Sequence, residues 1–355
     1  MENETERYGK MKEKSKTIQT NKSFGSWLKE NMAYLAGYLG LLICIILFGI
    51  LAPLIKDINI LDVTGNAFKS IFTEGVIFSI LSAGAVFVYS LGAMDISVGA
   101  QMSLYALLLI QIYNTAGENR GAAFLGVLTI LVLALICGAI NSVLASVLKI
   151  KPIITSLFLQ FVLYGISVLL MNKWCGDSES MTFNSGTASS TCFAPFRQVP
   201  VLLVALVLVI LVLTYVFRYT KVGRYAKAIG ANQQCAEQAG ANITLYRLAA
   251  YLVFSLAIVL ATVLFLANKS AITYDACRGY EMNIIICLIL GGMPISGGMR
   301  SRISCAVVGS FTYALIDICF VFIGVPSKMT NLFVAVIYIV VVLMTCRDKG
   351  TVLPQ

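Results

Sequence analysis

Val199-Pro-Val-Leu-Leu-Val-Ala-Leu-Val-Leu-Val-Ile-Leu-Val-Leu-Thr-Tyr-Val-Phe217 runs nineteen residues without a charge. Wound as an α-helix at about 1.5 Å per residue, such a run covers roughly 30 Å, the thickness of bilayer hydrocarbon. Runs of this kind recur from residue 34 to the end of the chain. Hydrophobic residues make up 59% of the 355 residues and charged residues 12%, and the mean hydropathy is +0.87. An ordinary soluble domain carries about 25% charged residues. The fold class that follows is all-α: a polytopic helical membrane protein without a sizeable soluble domain.

Working outward from that run, hydropathy predicts spans near 34–54, 75–92, 97–113, 122–148, 153–172, 199–217, 248–268, 281–294, 302–323 and 330–346. The second and eighth are weak, and the eighth is short enough to be bent or only partly inserted. About ten spans place both termini on one side. With the N-terminus inside, 18 Lys and Arg fall inside and 8 outside, so the excess of inside cations favours an N-in, C-in arrangement. Without the N-terminal tail the margin is 11 to 8, so the orientation rests on that tail and on the 217–247 loop. The net charge of +9 has the same topological origin and does not require nucleic acid. The organisation is then a basic tail and interfacial helix over 1–33, a transmembrane domain over 34–346 and a short tail over 347–355. Phe24, Trp27, Leu28 and Met32 give residues 22–33 an amphipathic face suited to the lipid interface. No cleavable signal peptide is visible.

Two stretches break the apolar pattern in the same way. Residues 92–99 read Gly-Ala-Met-Asp-Ile-Ser-Val-Gly and residues 291–298 read Gly-Gly-Met-Pro-Ile-Ser-Gly-Gly, agreeing at five of eight positions. A repeated helix break between spans is the pattern of duplicated transport units, although Gly and Ser are common in membrane helices. Asp95 in the first copy is suited to cap the following span or to contact a substrate; Pro294 replaces it in the second. Asp317 sits mid-span, where a charge must face a cavity or a partner. It reads either as path lining or as a packing contact between helices.

The loop 173–198 falls outside in this orientation and carries Cys175 and Cys192, for which an oxidising compartment favours a disulfide over two free thiols. The chain has no histidine, hence no Cys/His metal spacing, and no phosphate-binding loop of the Gly-x-x-x-x-Gly-Lys-Ser/Thr type. The loop 217–247 contains a good N-cap, Asn232, a helix-favouring stretch from Gln233 to Ala239 and a terminator, Gly240. It reads as a docking helix or as an ordinary connection.

Tyr219-Thr-Lys-Val-Gly-Arg-Tyr-Ala-Lys-Ala-Ile-Gly-Ala-Asn232 through Ala239-Gly240 resembles the coupling loop of ABC sugar permeases of the ribose type, a branch of the binding-protein-dependent permeases. Asp95-Ile-Ser-Val-Gly99 resembles that family's Asp-Leu-Ser-Val-Gly motif. Asn141 with Lys151-Pro-Ile-Ile-Thr155, Gly279-Tyr-Glu281, Leu290-Gly-Gly292 and Gly297-Gly298 follow in the family's order, so the likeness covers about residues 60–346. The resemblance implies a multi-pass permease subunit in a bacterial cell membrane, not itself an enzyme and without a cofactor of its own. Two permeases, a second copy or a non-identical one, form the path. Separate ATPase subunits bind ATP and magnesium, and an extracytoplasmic sugar-binding protein delivers a ribose-like pentose or hexose. On this sequence the coupling helix would use Asn232, Gln233, Glu237 and Gly240, and the pathway would be lined or shaped by Asp95, Ser97, Gly99 and Ser296. The chain departs from the family at Asn283, at Met293-Pro294, at Ser142 and in its longer, cysteine-bearing loop. Those departures leave the substrate open, a nucleoside included, and admit a non-identical second permease. From the residues alone, an ion-coupled carrier or a membrane scaffold is the competing class.

Overall fold

The structure, a computed structural model, describes residues 60–323 except 177, 179, 185–191, 270, 295 and 296, together with the single helical positions 38, 42, 46, 329, 332 and 339. Apart from those single positions, the expected spans 34–54 and 330–346, both tails and the interfacial helix lie outside the described residues, as does Ser296.

The described elements, in chain order, are α1 (Ile60–Ser90), α2 (Val98–Thr115), α3 (Arg120–Ser146), α4 (Pro152–Cys175), β1 (Met181–Thr182), a 3-10 turn (Ala194–Arg197), α5 (Val199–Tyr219), α6 (Lys221–Ala231), α7 (Gln233–Gln238), α8 (Ile243–Ala267), β2 (Ala271–Ile272), α9 (Tyr280–Leu290) and α10 (Ile303–Ile323). Six described helices are long and apolar enough to cross a membrane: α1 from Ala67, α3, α4, α5, α8 and α10.

These helices are arranged inside-out relative to a soluble bundle. On α3 the large residues Phe124, Leu128, Val132, Ile136 and Ile140 are exposed at a four-residue spacing, one lipid-facing stripe. The opposite stripe is small or polar apart from Ile130: Ala122, Gly126, Ala134, Cys137, Gly138, Asn141, Ser142 and Ala145 are buried with it. Small residues let helix backbones approach, which is where packing is gained when lipid is as apolar as Leu. A Cβ on Gly138 would collide with the Ser255 hydroxyl of α8, which shows how close that approach is. The apolar run that opens the sequence, α5, is mostly lipid-facing, whereas α1 is buried over most of its length and forms the centre.

Around α1 pack α8 and α10. Helix α10 runs antiparallel to α1: Ser310 Oγ donates to Ser82 Oγ at 3.2 Å, and Phe311 meets Phe72 at 6.0 Å between ring centres. One end of the molecule carries the polar helices α6 and α7. The other end carries the β1–β2 pair, registered Met181 to Ile272 and Thr182 to Ala271. The two ends are joined by α8, whose 25 residues extend about 37 Å.

Three expectations change. The span expected at 75–92 begins eight residues earlier, at Ala67, because Lys69 and Glu74 lower the hydropathy of a turn that is nevertheless helical. The stretch expected at 281–294 is an eleven-residue helix, α9, about 16 Å long and too short to cross alone. The disulfide is not formed: Cys175 and Cys192 are free thiols, and Cys192 lies against Tyr113, whose hydroxyl is 3.8 Å from the sulfur and accepts the Cys192 N–H at 3.3 Å.

Candidate functional site

The two broken stretches meet in space. After α1, the Leu91 and Gly92 N–H groups close onto the Val88 and Tyr89 carbonyls and the chain turns with Gly92 at φ 74°. After α9, Gly291 and Gly292 close onto Cys287 and Ile289 and the chain turns with Gly292 at φ 85°. The matched glycines are therefore offset by one: Gly92 does the work of Gly292. The second stretch then reaches the first, where the Gly298 N–H donates to the Ser90 carbonyl at 2.9 Å. A Cβ on Gly297 would collide with the Tyr89 carbonyl.

A third element joins them. Gly230, in the last turn of α6, lies so close that a Cβ there would collide with the Ser90 carbonyl and stand 3.0 Å from the Gly298 nitrogen. The end of α1, the second break and α6 thus converge on one backbone carbonyl. Helix α6 is held in place by Tyr225 stacked on Tyr246 of α8 at 4.2 Å and by the Lys227 ammonium 4.4 Å over the Phe217 ring.

From α6 the chain enters α7 directly. Asn232 caps it, its side-chain oxygen accepting the Cys235 N–H at 3.0 Å. At the far end Gly240 takes φ 81°, its N–H bonds the Glu237 carbonyl at 2.9 Å and the Ala241 N–H bonds the Ala236 carbonyl at 3.0 Å. This is a Schellman ending, which satisfies the last carbonyls through a left-handed residue. Gln233 Nε2 donates to Glu237 Oε1 at 3.2 Å across one turn. Apart from Ala236, every residue of α7 is exposed. The four residues expected to form a docking helix therefore share one exposed, doubly capped turn.

Asp95 lies inside the first break, 2% exposed. Its Oδ1 accepts the Ser97 N–H at 2.9 Å and the Ser97 hydroxyl at 2.6 Å, and its Oδ2 accepts Asn141 Nδ2 at 3.2 Å. Ser97 Oγ in turn accepts from Gln101 Nε2 at 2.8 Å, and the Tyr105 hydroxyl donates to Gln101 Oε1 at 3.0 Å. Asp95 shapes the entry to α2 without capping its free N–H groups: the cap position is Ser97, which makes no side-chain capping bond. Asn141 Oδ1, the Ser142 hydroxyl and the Tyr251 hydroxyl are buried without a partner.

Gly99 performs a different task from its counterpart Gly298. A Cβ on Gly99 would collide with Glu281 Oε2 and stand close to the Tyr164 hydroxyl. Glu281 Oε1 accepts from Gln160 Nε2 at 3.1 Å and from the Gly279 N–H at 3.3 Å, and the Cys277 N–H donates to Ser103 Oγ at 3.0 Å. Glu281 Oε2 and the Tyr164 hydroxyl are buried and unpartnered. This second polar centre joins the first turns of α2 and α9 to α4. Asp317 belongs to neither centre: on α10 it stands within electrostatic reach of Glu74, which also feels Lys269 at the β-pair end of α8. Glu74 and Tyr164 were not singled out from the sequence. Glu74 lay one residue outside the span drawn at 75, and a tyrosine in an apolar run carries no distinguishing signal. Among the described residues, no three metal-binding side chains gather at one point.

Comparison with known proteins adds the family. The family model described as "Branched-chain amino acid transport system / permease component" matches residues 67–344. The ribose import permease protein of Escherichia coli K12 is 25% identical over 326 residues, 91% of this chain and 96% of that protein. The galactose/methyl galactoside import permease protein of Salmonella typhimurium is 26% identical over 317 residues, 86% and 90% of the two chains. The fructose import permease protein FruG of Bifidobacterium longum is 24% identical over 287 residues, 78% and 81%. No solved structure matches. With helices that cross the membrane many times and a family match that runs from α1 past α10, the chain belongs to this family of transport-system permease components.

Proposed function

We propose that this chain is the transmembrane permease subunit of an ATP-driven importer that carries a monosaccharide, a ribose-like pentose or a hexose, across a bacterial cell membrane. The import proteins it resembles carry ribose, galactose and fructose in their names, which supports the substrate class. The proposed arrangement has about ten spans, N-in and C-in, with α9 crossing only together with the chain that flanks it and with α6 and α7 in the cytoplasm. ATPase subunits, which bind ATP and magnesium, dock on α7 through Asn232, Gln233, Glu237 and Gly240. A second permease completes the path, and an extracytoplasmic sugar-binding protein meets the end that carries β1 and β2. Asp95, Ser97, Gly99 and Ser296 shape the path, and Asp317 lies toward its outer end.

The observation that carries this reading is the continuous contact from an exposed helix to two helix breaks. A force applied to α7 is passed to α6 without a linker, since Asn232 separates the two helices. Through Gly230 it reaches the Ser90 carbonyl, the point where both breaks meet. Closure of the ATPases would thus shift the second break against the first and switch the path between its two openings.

Reconstitution with the partner subunits tests it. Glu237→Arg alters only the exposed face of α7, so sugar uptake should fall while insertion and basal ATP hydrolysis persist. A mild-detergent pull-down should bring an ATPase with the wild-type chain and less of it with the variant. Uptake driven by an ion gradient in the absence of any ATPase would overturn the reading.

A further inference from the structure

The second polar centre, where α2, α4 and α9 meet, holds two groups that the transport reading leaves unused. Glu281 is 6% exposed, and its Oε1 is fixed by Gln160 Nε2 and the Gly279 N–H. Its Oε2 is buried without a partner, as is the Tyr164 hydroxyl. Both atoms flank one point, the place a Cβ would take on Gly99: Oε2 would collide with it and the Tyr164 hydroxyl stands 3.2 Å from it. A single atom lodged between them is therefore within hydrogen-bond reach of both. Leaving a buried carboxylate oxygen and a buried phenol unpaired is costly, and a group that satisfied both would remove that cost.

The centre lies at the middle of the membrane. Gln160 and Tyr164 are eight and twelve residues into α4, a helix of 24 residues, which places them about 12 and 18 Å along a rod of about 36 Å. Both helices that complete the centre are entered there from irregular backbone: α2 from the first break, and α9, too short to cross alone, from the turn at Gly279. Broken helices that meet near the midplane are where transporters hold solute. Nor does the surface beside the centre resemble a lipid face. It carries the exposed Arg278 and the half-buried Gln160 and Tyr164, with the Arg278 guanidinium 6.0 Å over the Tyr164 ring. Near their own midpoints α3 exposes Val132 and Ile136, and α5 exposes Val207, Leu208 and Leu211. Polar and charged side chains at membrane depth belong on a water-filled path rather than against lipid.

The pair of free atoms selects its occupant. Tyr164 offers a donor and Glu281 an acceptor, and a solute hydroxyl answers both, donating to one and accepting from the other. A cation has no use for the donor, and it would meet Arg278, which is within electrostatic reach of Glu281. We propose that Glu281 and Tyr164 form a hydroxyl-binding station in the path: a hydroxyl of the passing sugar donates to Glu281 Oε2 and accepts from the Tyr164 hydroxyl, while Gln160 and the Gly279 N–H hold the carboxylate in place. The assignment rests on the monosaccharide reading above. In this conformation the station is closed over. Helix α4 packs on α2 and α3, and Gln160 ties it to α9, so a shift of α4 away from α9 opens the station to the path. Gly99 stays bare because a side chain there would fill it.

The test uses the complete importer with its partner subunits, in proteoliposomes supplied with ATP, and takes D-ribose, D-galactose and D-fructose as probes. Tyr164→Phe removes a hydroxyl that bonds nothing in the protein, so the melting temperature and basal ATP hydrolysis should stay as they are. Uptake at saturating binding protein should nevertheless fall about threefold or more, the loss of one hydrogen bond to the solute. Glu281→Gln should lower uptake about tenfold or more, since a charged acceptor is lost. Tyr215→Phe, on the exposed face of α5, should change nothing. Full uptake in Tyr164→Phe overturns the station, even if the Glu281 variant does not fold. A fall in uptake matched by a lower melting temperature in Tyr164→Phe would make the hydroxyl structural and overturn it as well. Uptake that requires sodium, lost in Glu281→Gln and kept in Tyr164→Phe, would reassign Oε2 to a cation. A wild-type importer that carries none of the three sugars would sink the monosaccharide reading, and the station with it.

Discussion

The two helix breaks look alike in sequence and are held together by different means. The first, residues 91–97, is fastened from within: one buried carboxylate, Asp95, ties its own turn through Ser97 and anchors it to α3 through Asn141. The second has Pro294 at that position and no acid. It closes one backbone turn of its own, the Gly297 N–H on the Pro294 carbonyl at 3.1 Å, and among the described residues is otherwise held from outside, by the Gly298 bond to Ser90 and by the bare backbones of Gly297 and Gly230. A turn locked by its own side chains keeps its shape when a neighbour moves. A turn held by another element's backbone follows that element. The first break is therefore the fixed wall of the junction and the second is the part that α6 can displace.

Replacing Gly230 should break this comparison most severely. Gly230→Val drives a side chain into the Ser90 carbonyl, and overpacking of this kind costs about 1–3 kcal/mol. The expected result is loss of uptake by roughly tenfold or more, since about 1.4 kcal/mol corresponds to a factor of ten in rate. ATP hydrolysis by the partner subunits should continue. If Gly230→Val transported normally, the contact would be a packing detail and the two breaks would be mechanically alike.

Asp95→Ala addresses the other side. It removes the acceptor of three hydrogen bonds in a site that water does not reach, leaving the Ser97 N–H unpaired and the Asn141 amide with only its 3.3 Å bond to Ser97 Oγ. Each orphaned buried group costs about 1–3 kcal/mol, so the melting temperature should fall by several degrees. Asn141→Ala should cost less, because the Ser97 bonds survive. A double-mutant cycle on the pair should give a coupling of about 0.5 kcal/mol or more, as residues in one network do. A coupling near zero would show that the first break does not depend on its anchor to α3.

How much of this was legible in the sequence follows from what kind of signal each part leaves. Helices α3, α4, α5 and α8 were read close to their true extent because a run of apolar residues is a local property. The cap and terminator of α7 were legible for the same reason, since Asn232 and Gly240 each act within four residues. Helix α6 was read as loop, although Val222, Ala226 and Ile229 repeat at three to four residues; Lys and Arg between them masked the spacing. The convergence on Ser90 was not legible at all, because it joins the carbonyl of one residue to glycines about 140 and 208 positions later, and a glycine that touches a backbone looks the same as one that fills a turn. The pairing of Gly99 with Glu281 is hidden in the same way, and the sequence match of Gly99 to Gly298 points away from it.

The smallest expected effect sharpens the comparison at its outer end. Asn232 accepts one N–H at the start of a six-residue helix, and loss of such a cap costs about 1 kcal/mol. That cost falls on α7 alone, because α7 is exposed and only Ala236 is buried. Asn232→Ala should therefore leave the melting temperature unchanged and speed hydrogen exchange at the Cys235 amide. If α7 acts on the second break as a rigid lever, the same variant should lower uptake without touching the Asp95 network, since a frayed helix transmits less of an applied displacement. Faster exchange with full uptake would mean that the partner subunit itself orders α7 on docking, and the rigid part of the lever would then begin at α6.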